Sequence, residues 1–267
     1  MTPRLQSFRI FIFAPMKYAQ LFFVLALFTA PILAWSQDDE EPLIPQEDLD
    51  ELLMWMVDGK YEKVLYKAIR YTESDKTDDA PRPYAYMSMA YFRIFESDDP
   101  DFAEDYSNAL KEALKYATKY IKKDKELEHL SEFEEYFDEL RAATISESDM
   151  HIMDEKYTKA KSFYNYLVKL DGEDIGAHLM LGTVLWKNRS KRDAGESWEM
   201  AKSLLAEYGD KGLSEVQRNL LRMAVIWTAE TMDAEGMRSD AIEWLNLTAD
   251  YFESDKEFSA VMRSIGG

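Results

Sequence analysis

The chain has 267 residues and a formal net charge of −19, with 32 Lys and Arg against 51 Asp and Glu. So acidic a surface repels phosphate backbones, which disfavours nucleic acid as a partner, and it also disfavours adhesion to anionic lipid. The chain has no cysteine, which excludes disulfides, thiolate metal sites and a cysteine nucleophile. With 10 Gly and 8 Pro the chain has few turn residues, which disfavours an all-β architecture of many short strands.

Residues 1–36 have the organisation of a secretory signal peptide. An apolar run of 13 residues, 21–33, follows Lys17 and is succeeded by small residues that end at Ser36. The run is short for a membrane span, which needs about 20 apolar residues. We expect cleavage between Ser36 and Gln37, with Met16 as an alternative functional start.

Either fate of this segment places the rest of the chain outside the cytoplasm. If it is not cleaved, it would be a membrane anchor with Arg4, Arg9 and Lys17 on the cytoplasmic side. Cleavage would remove these 3 of the 32 basic residues and no acidic residue, leaving 29 against 51, a net charge of −22. We expect an exported bacterial protein, periplasmic or secreted, with no stable membrane insertion after cleavage.

The remaining chain is predicted to be helical throughout. Residues 37–47 are acidic, contain two prolines and are predicted to form a flexible lead-in. From residue 48 to residue 267, long helical segments alternate with short breaks, and no Gly-, Ser- or Pro-rich linker marks a domain boundary. We therefore predict a single all-α domain over residues 48–267.

An internal repeat with a spacing of 34 residues is the most specific pattern in this domain. It consists of Ala160-x3-Tyr164-x2-Leu167, Ala194-x3-Trp198-x2-Ala201 and, between them, His178-x2-Leu181-Gly182-x2-Leu185. These segments resemble the tetratricopeptide-repeat signature W-x2-L-G-x2-Y…A-x3-F, with His178 in the Trp place and Trp198 in the Phe place. The resemblance implies an α-solenoid of stacked antiparallel helix pairs whose first helices line a concave groove for partner proteins.

Five small-residue positions mark the predicted repeat units. They are Val64, Ala113, Ala160, Ala194 and Ala241, with spacings of 49, 47, 34 and 47 residues. Small side chains allow two paired helices to approach closely, which explains their recurrence in the second helix of each unit. The spacings longer than 34 predict lengthened helices or inter-helix loops.

The register of the first helices predicts which side chains face the groove. They are Tyr86, Met89, Phe92, Leu179, Met180, Thr183, Trp186, Ile226 and Trp227. This aromatic and Met-rich set suits a partner helix or an extended apolar peptide. The alternative, that these side chains pack against adjacent helices, remains open at this point because large apolar residues are buried by default.

No pattern for catalysis, cofactor binding or metal binding is found. The three histidines are too few and too far apart for HExxH, and the glycine-rich nucleotide motifs are absent. We expect Asp149, His151 and Asp154 to be solvated and His178 to be packed in the core. An acidic helix carries Glu132, Glu134, Glu135, Asp138 and Glu139, which we interpret as the solvated face of an amphipathic helix.

We therefore expect a protein that is not an enzyme and has no cofactor. The alternative is an envelope enzyme, such as a carbohydrate-active protein that uses the carboxylates of the acidic helix. A carboxylate pair facing one cleft would favour the enzyme. Carboxylates dispersed over a convex surface would favour a scaffold.

Overall fold

The computed structural model describes residues 43–125 and 129–267, and this part of the chain contains helices and no strand. In chain order the first six helices are α1 (Gln46–Val57), α2 (Tyr61–Thr72), α3 (Arg82–Phe95), α4 (Pro100–Asp105), α5 (Ala109–Lys123) and α6 (Glu134–Met153). The other six are α7 (Tyr157–Leu170), α8 (Ile175–Lys187), α9 (Lys191–Tyr208), α10 (Glu215–Ala234), α11 (Arg238–Phe252) and α12 (Lys256–Gly266). The predicted all-α class is confirmed for the described residues.

The predicted signal peptide, 1–36, and residues 37–42 of the predicted lead-in lie outside the described residues. Within the remainder of the lead-in, Ile44 is buried and α1 already begins at Gln46. Among the described helices we find none with the length and apolarity that a bilayer crossing requires.

Most helices that follow one another in the chain pack against each other, and some second neighbours do so as well. α1 contacts α3, α8 contacts α10, and α10 contacts α12. The buried side chains form two hydrophobic clusters, one from α1 to α7 and one from α6 to α12. Ile145 on α6 belongs to the second cluster, whereas Phe163 on α7 belongs to the first, so the two helices interlock the clusters.

Four of the turns between helices have the same backbone geometry. Their left-handed residues are Gly59, Glu155, Arg189 and Gly236, with φ of 71°, 54°, 64° and 82°. In each turn the next residue donates its N–H to the carbonyl five residues earlier, over 2.7 to 2.9 Å. This bond closes the end of the first helix, as in the Schellman motif.

Four of the five small-residue positions lie at a constant distance from these turns. Val64, Ala160, Ala194 and Ala241 each lie five residues after the left-handed residue, on the second helix of a pair. All four, and Ala113 on α5, are 0% exposed. Their burial agrees with the expectation that small side chains mark close approaches between helices.

The unequal spacings between the small-residue positions have two structural causes. The spacing of 49 residues includes the extra helix α4 between α3 and α5, where the common turn is missing. The two spacings of 47 residues include α6 and α10, which are 20 residues long each. Lengthened helices, which the sequence predicted, and an inserted helix, which it did not, therefore both contribute.

Two glycines in α8 are required by close contact with neighbouring helices. A Cβ at Gly182 would lie 2.3 Å from Cδ1 of Trp198, and a Cβ at Gly176 would lie 2.7 Å from the backbone nitrogen of Leu221. The glycine of the Leu181-Gly182 pair therefore provides the space that the Trp198 indole occupies. Through these two contacts α8 is held tightly against α9 on one side and α10 on the other.

Candidate protein-binding cleft

Six of the nine predicted groove residues are buried in the hydrophobic core. They are Tyr86, Phe92, Leu179, Met180, Thr183 and Ile226. The residues of α8 are buried because α8 packs against α7, α9 and α10, and α6 and α10 also contact each other. These six side chains therefore pack in the core and do not face an open groove. For them, the alternative predicted from the sequence, packing against adjacent helices, is the one that the structure shows.

The other three, Met89, Trp186 and Trp227, are partly exposed. Trp186 packs against Trp198 with ring centroids 5.3 Å apart, and Lys191 Nζ lies 4.0 Å from the Trp186 ring centroid. The buried Nε1 atom of Trp186 has no hydrogen-bond partner among the described residues. Met89 lies on α3, Trp186 on α8 and Trp227 on α10, so each helix contributes one partly exposed side chain to the predicted set.

The acidic helix, which is α6 and the turn before it, is amphipathic as predicted, except that Asp138 is only partly exposed and is bound by Arg141 and Ser214. Glu132, Glu134, Glu135 and Glu139 are exposed, whereas the aromatic residues between them are buried. Arg82 donates to Glu132 over 2.5 Å, and Arg93 donates to Glu139 over 2.6 Å. These two ion pairs join α3 to the N-terminal part of the acidic helix.

A cleft of about 1040 Å³ lies beside the acidic helix, and we call it the acidic cleft. Four carboxylates line it, together with an apolar wall and a single cation. The carboxylates are Glu134, Asp138, Asp171 and Glu173, the apolar side chains are Ile121, Leu130, Phe137, Leu170 and Leu213, and the cation is Arg141. A shallower depression on the outer side of α6 shares Glu134 and Asp138 with it and adds Glu135 and Glu139.

Arg141 forms the floor of the acidic cleft and is almost completely buried. Its guanidinium donates to Asp174 over 3.1 Å, to Asp138 over 3.2 Å and to Asp171 over 3.3 Å. A buried guanidinium with three carboxylate partners is fully committed to the protein. Arg141 therefore stabilises the cleft and leaves the net charge of its lining negative.

Helix caps hold these carboxylates in place. Asp174 caps α8 by accepting the N–H of Ala177 over 2.9 Å. Ser214 and Gln217 form a capping box at the start of α10. The Gln217 amide also donates to Asp171 over 2.7 Å, and the Ser214 hydroxyl donates to Asp138 over 3.0 Å. The starts of α8 and α10 and the end of α7 are thereby joined to α6 through one polar network.

Asp174 is the member of this network that water cannot reach. Burial raises the pKa of its carboxyl, and the charge of Arg141 opposes that increase. Because its side chain is 0% exposed, it cannot touch a molecule in the cleft. Its chemical part is to orient Arg141 and α8.

The sequence did not identify Arg141, Asp171, Asp174, Ser214 and Gln217 as a group. The pattern Ser214-x2-Gln217 before an apolar run is a recognisable capping box, and Asp174 before α8 is a recognisable N-cap. Their meeting at Arg141 brings together residues up to 76 positions apart, such as Asp138 and Ser214. No local pattern contains that information.

The three histidines are all partly exposed; His151 lies on α6 and His178 on α8, and His129 lies in the segment before α6. His178 is partly exposed, not fully packed in the core as expected, and its Nε2 lies 3.0 Å from the Gly172 carbonyl. His151 stacks on Phe163 with ring centroids 5.7 Å apart. Within residues 43–125 and 129–267 no group of three His, Asp or Glu side chains could hold a metal ion.

Comparisons with protein-family models, curated proteins and solved structures find no match to this chain.

Proposed function

We propose that this chain is a non-catalytic protein-binding scaffold of the bacterial envelope, built as a tetratricopeptide-like α-solenoid. Five helix pairs, α1–α2, α3–α5, α6–α7, α8–α9 and α10–α11, carry the proposed repeat, and α12 covers the last pair. Four identical turns, each followed five residues later by a fully buried small residue, support this assignment. Contacts between α1 and α3 and between α8 and α10 support a stacked array, in which each pair packs on the next.

The observation that carries the binding function is the unneutralised charge of the acidic cleft. Glu134 and Glu173 have no ion-pair partner among the described residues, and Arg141 is committed to three aspartates. These carboxylates stand beside the apolar side chains of Phe137, Leu170 and other residues. Charge complementarity then favours a partner segment that presents Lys or Arg next to apolar side chains.

The size of the acidic cleft agrees with a macromolecular partner. At about 1040 Å³ it lies at the upper limit of the roughly 300–1,000 Å³ typical of small-molecule sites. Several side chains of a peptide or helix fit such a volume. We therefore propose a basic amphipathic segment of another protein as the occupant.

A pair of synthetic peptides tests this proposal. One alternates Leu and Lys on a helical face, and the other has Glu in place of Lys. We expect the purified chain to bind the Lys peptide in fluorescence anisotropy, with affinity that falls as salt increases. Glu134→Gln and Glu173→Gln should each weaken binding about two- to fivefold, since a partly exposed ion pair contributes about 0.4–1 kcal/mol.

Two exposed glutamates elsewhere provide matched controls for the overall negative charge. Glu104 on α4 and Glu196 on α9 lie outside the acidic cleft. If Glu104→Gln and Glu196→Gln weaken the Lys peptide as much as the cleft variants do, binding follows net charge and the acidic cleft is not the site. Equal affinity for the Glu peptide would also refute the proposal.

One observation favours the alternative that the chain is an enzyme: Glu134 and Asp138 line the same cleft from adjacent turns of α6. Asp138 is already bound by Arg141 and by the Ser214 hydroxyl, which argues for a structural part. Hydrolysis of an oligosaccharide panel, measured for the parent chain and for Glu134→Gln, distinguishes the two functions. Hydrolysis by the parent chain that is lost in Glu134→Gln would refute the scaffold hypothesis and support a glycoside hydrolase.

Export is the remaining part of the proposal and rests on the composition of residues 1–36. N-terminal sequencing of the protein from its native host tests it directly. We expect Gln37 as the first residue of the mature chain. A chain that still begins at Met1 or Met16 and fractionates with membranes would instead support the anchored adaptor.

A further inference from the structure

A second cavity, of about 370 Å³, lies at the insertion that interrupts the α3–α5 pair. Helix α4 forms one of its walls, and the ends of α3 and α6 and the starts of α5 and α7 form the others. We call it the α4 cavity. Residues 147 and 151 of α6 line it, whereas residues 134 and 138 line the acidic cleft, so the two sites are about 20 Å apart along one helix.

The charge of the α4 cavity is opposite to that of the acidic cleft. Lys111 and Lys159 both line it, and neither has an ion-pair partner among the described residues. The only carboxylate in the lining is Glu147, which lies 3.4 Å from Nε2 of His151. In a chain of net charge −19, two free ammonium groups at one cavity are a local excess of positive charge.

Aromatic side chains supply the apolar surface of the same cavity. Phe102 on α4 and Phe95 at the end of α3 line it and are partly or largely exposed. Phe163 on α7 stacks with the His151 ring on one side, and Lys111 Nζ lies 5.7 Å from its centroid. A planar apolar group would find ring contacts here that an inorganic ion cannot use.

The start of α5 adds hydrogen-bond donors, which also favour an anionic ligand. Leu110 and Lys111, in the first turn of this 15-residue helix, both line the cavity. Their backbone N–H groups have no carbonyl acceptor, and the N-cap residue Asn108 accepts no N–H with its side chain. Unsatisfied donors at a helix start favour an anion, and they strengthen the case that the lysines and aromatic rings already make.

We propose that the α4 cavity binds a small aromatic anion, a ring that carries a carboxylate or a phosphate. The anionic group contacts Lys111 and Lys159, and the ring packs against Phe95 and Phe102, the two exposed or partly exposed phenylalanines of the lining. This site is separate from the acidic cleft in position and in charge, so it does not depend on the scaffold function. It also gives the α4 insertion a purpose, because α4 buries no side chain of its own.

Isothermal titration calorimetry with phenyl phosphate tests the proposal on the purified chain. We expect a Kd below about 1 mM, and at least about a fivefold weakening in Lys111→Gln and in Lys159→Gln. Lys119→Gln on α5 and Lys169→Gln on α7 remove the same charge outside the cavity and should leave the Kd unchanged. Phe102→Leu should weaken phenyl phosphate but not inorganic phosphate.

Two further probes separate the parts of the recognition. Inorganic phosphate has the charge without the ring, and benzamidine has a ring with the opposite charge. Both should bind at least about fivefold more weakly than phenyl phosphate. Benzamidine that binds as tightly as phenyl phosphate would overturn the proposal. So would the absence of a binding heat for phenyl phosphate at concentrations of about 1 mM, or a phenyl phosphate Kd that changes in neither Lys111→Gln nor Lys159→Gln. Glu134→Gln, the variant for the acidic cleft, should not change phenyl phosphate binding.

Discussion

Among the helices of residues 43–125 and 129–267, α8 and α4 differ most in the fraction of their residues that is buried. Of the 13 residues of α8, ten are buried, and the helix is packed against α7, α9 and α10. Helix α4 has six residues, none of them buried, and it touches mainly α3. Both begin with an aspartate N-cap, Asp174 for α8 and Asp99 for α4. The comparison shows that the same local capping chemistry serves a core element in one place and a surface insertion in another.

The largest expected difference concerns these two caps. Asp174→Ala removes the cap of α8 and also deprives the buried Arg141 of its closest carboxylate, so we expect a loss of about 3–5 kcal/mol in the free energy of unfolding. Asp99→Ala removes only a cap on an exposed helix and should cost about 0.5–2 kcal/mol at most. Urea denaturation measures both. Equal losses would mean that the Arg141 network contributes nothing beyond capping.

A smaller effect is expected from the close contact between α8 and α9. Gly182→Ala places a methyl group 2.3 Å from the Trp198 ring, and we expect a loss of about 1–3 kcal/mol despite the better helix propensity of alanine. Gly195→Ala on α9 meets no atom within 4 Å and should instead stabilise by about 0.5–1 kcal/mol. Thermal unfolding of both variants provides the measurement. A stabilising Gly182→Ala would contradict the packing of Trp198 on α8.

The surface position of α4 predicts a still smaller effect on stability. Phe102 is partly exposed, and its ring lies 6.5 Å from the Tyr61 ring and 6.0 Å from the Tyr106 ring. We expect Phe102→Ala to cost less than about 1.5 kcal/mol, whereas Phe92→Ala on α3, which is 1% exposed, should cost about 3–5 kcal/mol. Chemical denaturation distinguishes these values. A large loss for Phe102→Ala would make α4 part of the core.

Burial inside the helix pairs also has an electrostatic consequence, the smallest of this series. Desolvation raises the pKa of the Asp149 carboxyl on α6, and the neighbouring Tyr164 hydroxyl only partly opposes that increase. Since the folded pKa lies above the unfolded value of 3.8, the folded state binds the proton more tightly. The contribution of Asp149 to stability therefore falls as the pH rises from about 3.8 through the folded pKa.

Asp149→Asn removes this ionisation. We expect the variant to gain stability relative to the parent as the pH rises through that window, and to differ least at pH below 3.8. Midpoints of urea denaturation measured from pH 3 to pH 7 provide the comparison. A difference between the two proteins that does not change with pH would show that Asp149 keeps its unfolded pKa.

Local sequence patterns were sufficient for the helices and for their close contacts. The five small positions, Val64 to Ala241, are all buried, and the glycine of Leu181-Gly182 lies under Trp198. Local patterns did not show which residues of the predicted groove are exposed, since six of the nine are buried in the core. A helical register fixes which residues share a face, but it does not fix which neighbouring helix covers that face.

By itself the sequence determined the all-helical class, the position of the helix-pair contacts and the absence of the common catalytic motifs. These are properties of neighbouring residues, since helical periodicity, small-residue spacing and turn geometry operate over a few positions. The tertiary structure alone decided that α6 and α10 meet, that Arg141 gathers three aspartates, and that the α4 insertion brings two free lysines to an aromatic cavity. Those outcomes depend on how segments far apart in the chain pack together, and packing of that kind has no local pattern in the sequence.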